Sequence, residues 1–422
     1  MTPPGPNLEL DDRDAAALNG ELGAGVALAM RVLVGVARSM AAPRLIDISQ
    51  AHVDGCLYIG QVSLDFAERL ATGGARVRVP TTTNVSAIDR LRPDTWRGDP
   101  TMVPNARRLM DAYTALGCAP TWTCAPYQLG RRPVLGENIA WGESNAIVFA
   151  NSVLGARTQR YGDFVDISAA IVGRAPYAGL HTDAGRYGQI LIEIEDVPAE
   201  WRTSETFFPL AGLVVGQVAG ALVPVVTGIV SATEDQLKAF GAAAASTGSV
   251  ALFHVVGVTP EAPTLEACFP VSPPVQVARI GLAELREAWS WLDNGKGGKL
   301  GAVCIGTPHF SESEFETLAR LLDGRQVHPQ TPLIVSTSRH VWSRVTASGL
   351  ADQLVDAGIQ VVTDTCTYST PILGRIDGLV LTNSAKYAWY APGNTGAEIA
   401  FASLPACVES AVAGQLTMDP LG

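Results

Sequence analysis

Short β-rich runs alternate along this chain with segments of ordinary helix length whose apolar residues recur at helical spacing, and that alternation restricts the fold to layered α/β domains. Leu64, Ala67, Leu70 and Ala71 lie on one helical face that ends at Gly73-Gly74, and a strand is predicted at 77–79, stopping at Pro80. A helix over 105–116 leads into strand-like residues at 121–123, a helix is predicted at 235–245, and a buried strand at 250–255. Leu282, Leu285, Trp289 and Leu292 mark another helical face, followed by the loop Asn294-Gly295-Lys296-Gly297-Gly298-Lys299 and a strand at 302–305. This loop lacks the Walker spacing, so it reads as a connector and not a phosphate cradle. Ser311 and Glu314 form a capping-box pattern ahead of Phe315, Leu318, Ala319 and Leu322. Strands are predicted at 333–335, 360–363 and 378–381. The expected organisation is an N-terminal α/β region over 1–200, a Gly-rich middle region over 201–275 and a C-terminal α/β domain over 276–422.

The 422 residues leave room for two or three domains at roughly 150 residues each. With 47% hydrophobic and 17% charged residues the chain is neither disordered nor a coiled coil, and its net charge of −11 argues against a general nucleic-acid surface. Residues 206–233 contain no charge and exceed the roughly 20 residues that a membrane helix needs. Pro209 and Pro224 break the stretch, four glycines interrupt it, and 222–226 reads as a central strand, so it is expected to be buried core and not a membrane span. The seven cysteines are odd in number, scattered and not preceded by a basic-then-apolar leader, which predicts free thiols in a reducing cytoplasm.

Chemistry is expected where polar residues interrupt the apolar runs. Ser49-Gln50-Ala51-His52-Val53-Asp54-Gly55-Cys56 follows the strand-like 45–48 and places His, Asp and Cys together at a strand's carboxyl end, where open α/β sheets bind ligands. The same residues also read as a turn with a buried thiol. Thr81-Thr82-Thr83-Asn84, Cys124 and Cys366 occupy equivalent strand-end places, and Cys304 lies at the end of another strand. Thiolates drawn from separate loops suit iron or an iron–sulfur cluster, although no CxxC pair is present. Cys118, Cys268 and Cys407 read as core or helix-end residues. Ser144, between Gly142 and Ala146, makes a loosened nucleophile elbow, so an acyl-transfer hydrolase is the independent alternative; no HExxH helix is present for a metalloprotease.

Taken in order, Ala51-His52-Val53-Asp54-Gly55-Cys56-Leu57-Tyr58, Pro80-Thr81-Thr82-Thr83-Asn84, Thr123-Cys124-Ala125-Pro126-Tyr127, Ala140-Trp141-Gly142-Glu143-Ser144-Asn145-Ala146, Asn151-Ser152-Val153-Leu154-Gly155-Ala156-Arg157-Thr158, Thr307-Pro308-His309-Phe310-Ser311 and Asp364-Thr365-Cys366 resemble the large-subunit portion of aconitase X. The resemblance runs from Leu18 to Tyr387 and implies three α/β/α layered domains of the aconitase type. It also implies a small swivelling domain, fused or separate, which carries the Ser base. The chain reaches Gly422 without it, so a partner subunit of modest size is expected.

The family divides by substrate. One branch resembles mevalonate 5-phosphate dehydratases, with Gly-Cys-Pro-His where this chain has Gly306-Thr307-Pro308-His309. The other resembles cis-3-hydroxy-L-proline dehydratases, with the Asp-Gly-Cys-Leu-Tyr segment found here at 54–58. This chain follows the second pattern. The resemblance therefore implies Cys56, Cys124 and Cys366 as ligands of an iron–sulfur cluster of the [2Fe-2S] type, with Thr307 in place of a further thiol. The implied reaction removes water from cis-3-hydroxy-L-proline, a small hydroxy amino acid, to give Δ1-pyrroline-2-carboxylate. Arg157 and Lys386 are assigned to the enolate-like charge at the carboxylate, against rival readings as a helix-end cation and a surface charge. Ser49, Thr82, Asn84, Ser152 and His181 are candidates to orient the ring and its ammonium. His52 is a candidate for the same role or for handling a proton. The rival from a different class is a non-catalytic binding subunit whose cysteines are merely buried.

Overall fold

The computed structural model describes residues 8–293, 298–374, 376–417 and 419. Its described residues form two compact units, the first within 1–87, 101–187 and 259–261, the second within 88–100, 188–258 and 262–422.

The first unit is built on a three-stranded parallel sheet in which Ala51–Val53 lies between Thr81–Thr83 and Ala140–Trp141. Ala51 is opposite both Thr81 and Ala140, and His52 is opposite both Thr82 and Trp141. Leu45–Asp47 belongs to a different sheet, pairing antiparallel with Arg174–Pro176. The apolar helices Ala24–Ser39 and Val165–Val172 pack on each other, and Gln61–Thr72 packs on Met102–Ala115.

The second unit holds two parallel sheets. One has the order His254–Val255, Pro224–Thr227, Ile190–Ile194 and Gln276–Ile280; the other has Ile359–Val362, Leu333–Ser336, Leu300–Ile305, Leu379–Thr382 and Ile399–Phe401. In the five-stranded sheet the chain steps outward from Leu300–Ile305 in one direction and then, from Leu379–Thr382, in the other. The crevice between these two strands is the topological switch point, the place where open parallel sheets take ligands.

The uncharged stretch is explained by this second unit. Phe207–Ala219 is a helix with apolar residues buried on nearly every side, as a helix apolar all round must be. Pro209 does not break it, because it falls in the first turn, where no intrahelical N–H is required. Gly212 and Gly216 let it lie against Glu234–Thr247: a Cβ on Gly212 would sit 2.2 Å from the Phe240 carbonyl oxygen, and one on Gly216 2.4 Å from that of Ala244. Pro224 opens the strand that follows. No single helix among the described residues is long and apolar enough to cross a membrane.

Several local expectations shift. Residues 77–79 are irregular, and the strand forms at Thr81–Thr83 instead. Residues 121–123 form no strand, yet Ala119 N and Thr123 N donate to Thr81 O and Thr83 O at 2.8 and 3.0 Å. Of 250–255 only His254–Val255 is a strand. The Ser311–Glu314 capping box forms as expected. Residues 294–297 of the Gly-Lys loop lie outside the described residues.

The helix contact yields a paired prediction. Gly212→Ala is expected to destabilise the chain by about 1–3 kcal/mol through overpacking, whereas Gly35→Ala, in an exposed helical position with nothing near its Cβ, is expected to stabilise it by about 0.5–1 kcal/mol. Urea midpoints of the two variants check both signs.

Candidate active site

In the first unit the three parallel strands end side by side, and each releases polar residues at its carboxyl end: Asp54 after Val53, Asn84 after Thr83, and Glu143 after Trp141 and Gly142. Asn84 joins the other two. Its Nδ2 donates to Asp54 Oδ1 and, at 3.1 Å, to Glu143 Oε2, while its backbone N–H donates to Val53 O at 2.9 Å. Two residues back, His52 Nδ1 lies 2.8 Å from Thr82 Oγ1 on the neighbouring strand, and among the described residues His52 Nε2 has no hydrogen-bond partner. The register therefore pairs His52 with Thr82 and sets Asn84 beside Asp54.

Ser49, Arg157 and His181 form a second group around Asn138. Ser49 Oγ donates to Glu137 Oε1, and its backbone N–H donates to Asn138 O at 3.0 Å. His181 is buried with Nδ1 2.9 Å from Asn138 Oδ1 and Nε2 2.8 Å from the Tyr161 hydroxyl. Arg157 donates to Asp183 Oδ1 at 2.5 Å and to His181 O at 3.4 Å, so it belongs to a loop ion pair and not to a helix end. Ser152 is buried in the last turn of Ser144–Ser152. Ser144 starts that helix with its hydroxyl 3.2 Å from Glu143 Oε1.

The candidate thiols of this unit, Cys56 and Cys124, are both buried. Burial pushes the Cys56 thiol well up, and Cys118, Asp166 and Asp54 push it further. Burial likewise raises Asp54, helped by Glu143, Asp163 and Asp166. Asp166 accepts from the Asp54 N–H at 2.6 Å and is pushed up to about 7, with burial the largest cause.

In the second unit the five-stranded sheet does the same work. Gly306-Thr307-Pro308-His309 leaves Leu300–Ile305, Asn383-Ser384-Ala385-Lys386 leaves Leu379–Thr382, and Thr363 to Cys366 leaves Ile359–Val362. The metal-ligating atoms of His309 and Cys366 lie within 4.8 Å of each other, and both residues are buried. Asp364 shapes the approach to Cys366: it adopts a left-handed φ of 62°, and its carboxylate takes both prongs of the Arg339 guanidinium, Nε at 2.6 Å, and the Arg90 N–H at 3.1 Å. Lys386 is buried in the first turn of Ala385–Thr395, not on the surface, and lines a cavity with Thr307, Ser384 and Lys238 at the switch point. Cys304 lies inside the strand, its thiol pushed up to about 12 by burial.

A thiol and an imidazole, both buried and within one ligand sphere of each other, form a donor pair that suits iron. Sequence signatures of the aconitase X first, second and third domains match residues 7–184, 188–290 and 300–413. The chain belongs to the aconitase X family. It is 45% identical over 96% of its length to a cis-3-hydroxy-L-proline dehydratase of Pseudomonas aeruginosa, and 41% identical over 97% to one of Hypocrea jecorina, spanning 70% of each. It is 35% identical over 93% of its length to the phosphomevalonate dehydratase large subunit of Methanothermobacter thermautotrophicus, spanning 96% of it. The crystal structure of holo aconitase X from Thermococcus kodakaraensis superposes with a TM-score of 0.86 at 30% identity, covering 96% of this chain and all of that one. The expected fold of α/β aconitase-type domains is thus confirmed. Membership in aconitase X points to an iron–sulfur cluster.

Three residues of the site are not legible in the sequence of this aconitase X chain as site residues: His309, Glu143 and Asn145. His309 lies in the motif at 307–311 that follows the strand Leu300–Ile305. Glu143 and Asn145 follow Ala140–Trp141, a strand of two residues that no periodicity reveals, so the strand-end rule does not reach them from sequence.

Burial pulls the His52 pKa down to about 3 and, with Arg186 and Arg157 nearby, that of His181 to about 4. Unfolded imidazoles titrate near 6.5, so below that pH the unfolded chain binds protons that the folded chain refuses, and this contribution to stability is lost as pH falls. Asp166 acts in the opposite sense: its contribution is present below 3.8 and lost as pH rises to about 7. His52→Gln is expected to flatten the acid side of the stability profile by about 1.1 kcal/mol per pH unit between 6.5 and 5. Urea denaturation at a series of pH values measures it.

Proposed function

We propose that this chain is the iron-binding large portion of a hydro-lyase that dehydrates cis-3-hydroxy-L-proline to Δ1-pyrroline-2-carboxylate. The observation that carries the reading is the ranking of relatives: two cis-3-hydroxy-L-proline dehydratases match at 45% and 41%, and the phosphomevalonate dehydratase large subunits at 32–35%. The large-subunit names of the latter support a small partner subunit for this chain, and we assign the Ser base to that partner.

Cys56, Cys124 and Cys366 are the proposed ligands of a [2Fe-2S] cluster, with His309 beside Cys366. When bound, the iron supplies Lewis acidity toward the departing hydroxyl. The chain's own residues do the rest. The hydroxyl is β to the carboxylate, so the reaction must remove a weakly acidic α-proton, and the charge that develops at the carboxylate needs fixed cations. Lys386 supplies one from the first turn of a helix, where the aligned N–H groups add to its field. Arg157 supplies the other, with its Nη2 already held by Asp183. His52 stays neutral and keeps Nδ1 on Thr82, which leaves Nε2 for the ring or its proton. Thr82, Asn84, Ser49, Ser152 and His181 orient the ring and its ammonium.

The test is to produce the chain with its partner piece without air, assay iron and sulfide, and offer cis-3-hydroxy-L-proline and mevalonate 5-phosphate side by side. The expected result is an iron- and sulfide-containing complex that dehydrates the amino acid alone. Turnover of the phosphate alone would overturn the substrate. Cys366→Ser is expected to abolish nearly all activity and lower the iron content; full activity in that variant would favour the non-catalytic subunit.

A further inference from the structure

The loop that carries Cys124 has little structure of its own. Residues 118–125 form no helix or strand beyond one isolated bridge at Ala119, and Trp122 takes a left-handed φ of 45°. A thiol on such a loop has no regular element to aim it.

The loop's first part, 119–123, is fastened to Thr81 and Thr83 by hydrogen bonds, and its cysteine end is held by one side chain of the next helix. Asn145, the second residue of Ser144–Ser152, is only 2% exposed. Its Nδ2 donates to the Cys124 carbonyl oxygen at 2.9 Å and to Glu143 Oε1 at 2.8 Å, while its Oδ1 accepts from the Tyr127 hydroxyl at 2.8 Å. These contacts use its donors and its acceptor in one sense only: turning the amide over would set Oδ1 against a carbonyl oxygen and a carboxylate. The Tyr127 ring also stacks on Phe149 of the same helix, 3.9 Å between centroids and 16° between planes. One helix thus grips the segment 124–127 at both ends. Glu143 in turn anchors Asn145, accepting from its backbone N–H at 3.2 Å, and takes Asn84 on its other oxygen. The Cys124 carbonyl is therefore tied through two side chains to the strand ends that bear Asp54 and Asn84.

We infer that Asn145 is a positioning residue for Cys124, fixing the peptide of that cysteine, and hence the direction of its thiol, through the clamp that Glu143 and Tyr127 complete. The inference rests on the proposal that Cys124 is an iron ligand. It adds a dependence of the cluster on an amide that touches neither metal nor substrate. Outer-sphere partners of this kind are worth about 10–100-fold in metal affinity.

The experiment uses the chain co-produced with its partner without air, as wild type, Asn145→Ala, Asn145→Asp and Tyr127→Phe. Iron loss to bathophenanthroline, the visible and electron paramagnetic resonance spectra of the cluster, and iodoacetamide alkylation of Cys124 in the iron-free chain are followed. Asn145→Ala is expected to lose iron about tenfold faster or more, with an altered cluster spectrum and faster Cys124 alkylation. Asn145→Asp keeps the acceptor for Tyr127 but cannot donate to Cys124 and places a second carboxylate beside Glu143, so it should behave as Asn145→Ala does. A merely structural amide would let the isosteric Asp behave as wild type, and that result overturns the inference. Tyr127→Phe removes one hydroxyl and keeps the stacking ring, so it should fold even where the others do not and show a smaller change of the same sign. Unchanged iron loss, spectrum and alkylation in the variants that fold overturn the inference. A wild-type complex without iron would overturn the proposed cofactor instead, and alkylation of Cys124 would still decide the role of Asn145.

Discussion

Everything at the candidate site of the first unit depends on the parallel pairing of Ala51–Val53 with Thr81–Thr83 on one side and Ala140–Trp141 on the other. Parallel strands run the same way, so the residues that follow each of them leave the sheet at one edge. There Asp54, Asn84 and Glu143 meet and are joined by the Asn84 amide. A slip of one residue in this register would move His52 to the opposite face from Thr82 and dissolve the pair.

The electrostatics follow from that convergence. Burial already disfavours charge here, and Glu143, Asp163 and Asp166 raise the proton affinity of Asp54 further, as Glu143 does for Asp163 and Asp163 for Asp166. His52 is kept neutral by the same burial, although Glu143 opposes it. The thiol of Cys56 stands beside these carboxylates and is discouraged from ionising by them. A bound cation reverses such a balance, since a thiol that coordinates a metal is held as the thiolate, its proton passing to solvent or a nearby base.

The second unit repeats the principle with other chemistry. The strand order of its parallel five-stranded sheet reverses between Leu300–Ile305 and Leu379–Thr382, and the loops that follow these two strands carry His309 and Lys386. Two acids near its loops, Asp364 buried and Glu314 half-buried, are spent on ion pairs. Asp364 ties the Cys366 loop to Arg339 and Arg90, and Glu314, pushed up to about 7 by burial, shares Lys238 with Asp235.

The sequence by itself determined the class of fold, the helices, most strands of the second unit and the family motifs. Hydrophobic periodicity and caps are local signals, as the Ser311–Glu314 box and the helix Leu282–Leu292 illustrate. It also pointed to Cys56, Cys124 and Cys366 as thiols at loop positions beyond apolar runs. Tertiary structure alone decided that Ala51–Val53 and Ala140–Trp141 are strands, because segments of three and two residues acquire that identity only from their neighbours' hydrogen bonds. It decided that Pro209 opens a helix instead of ending one, since the effect of a proline depends on which turn it enters. It decided, too, which polar residues meet. Asn145 reaches Cys124 across 21 positions of chain, and Asn84 reaches Glu143 across 59. Such contacts are set by strand order and register, which no window of sequence contains.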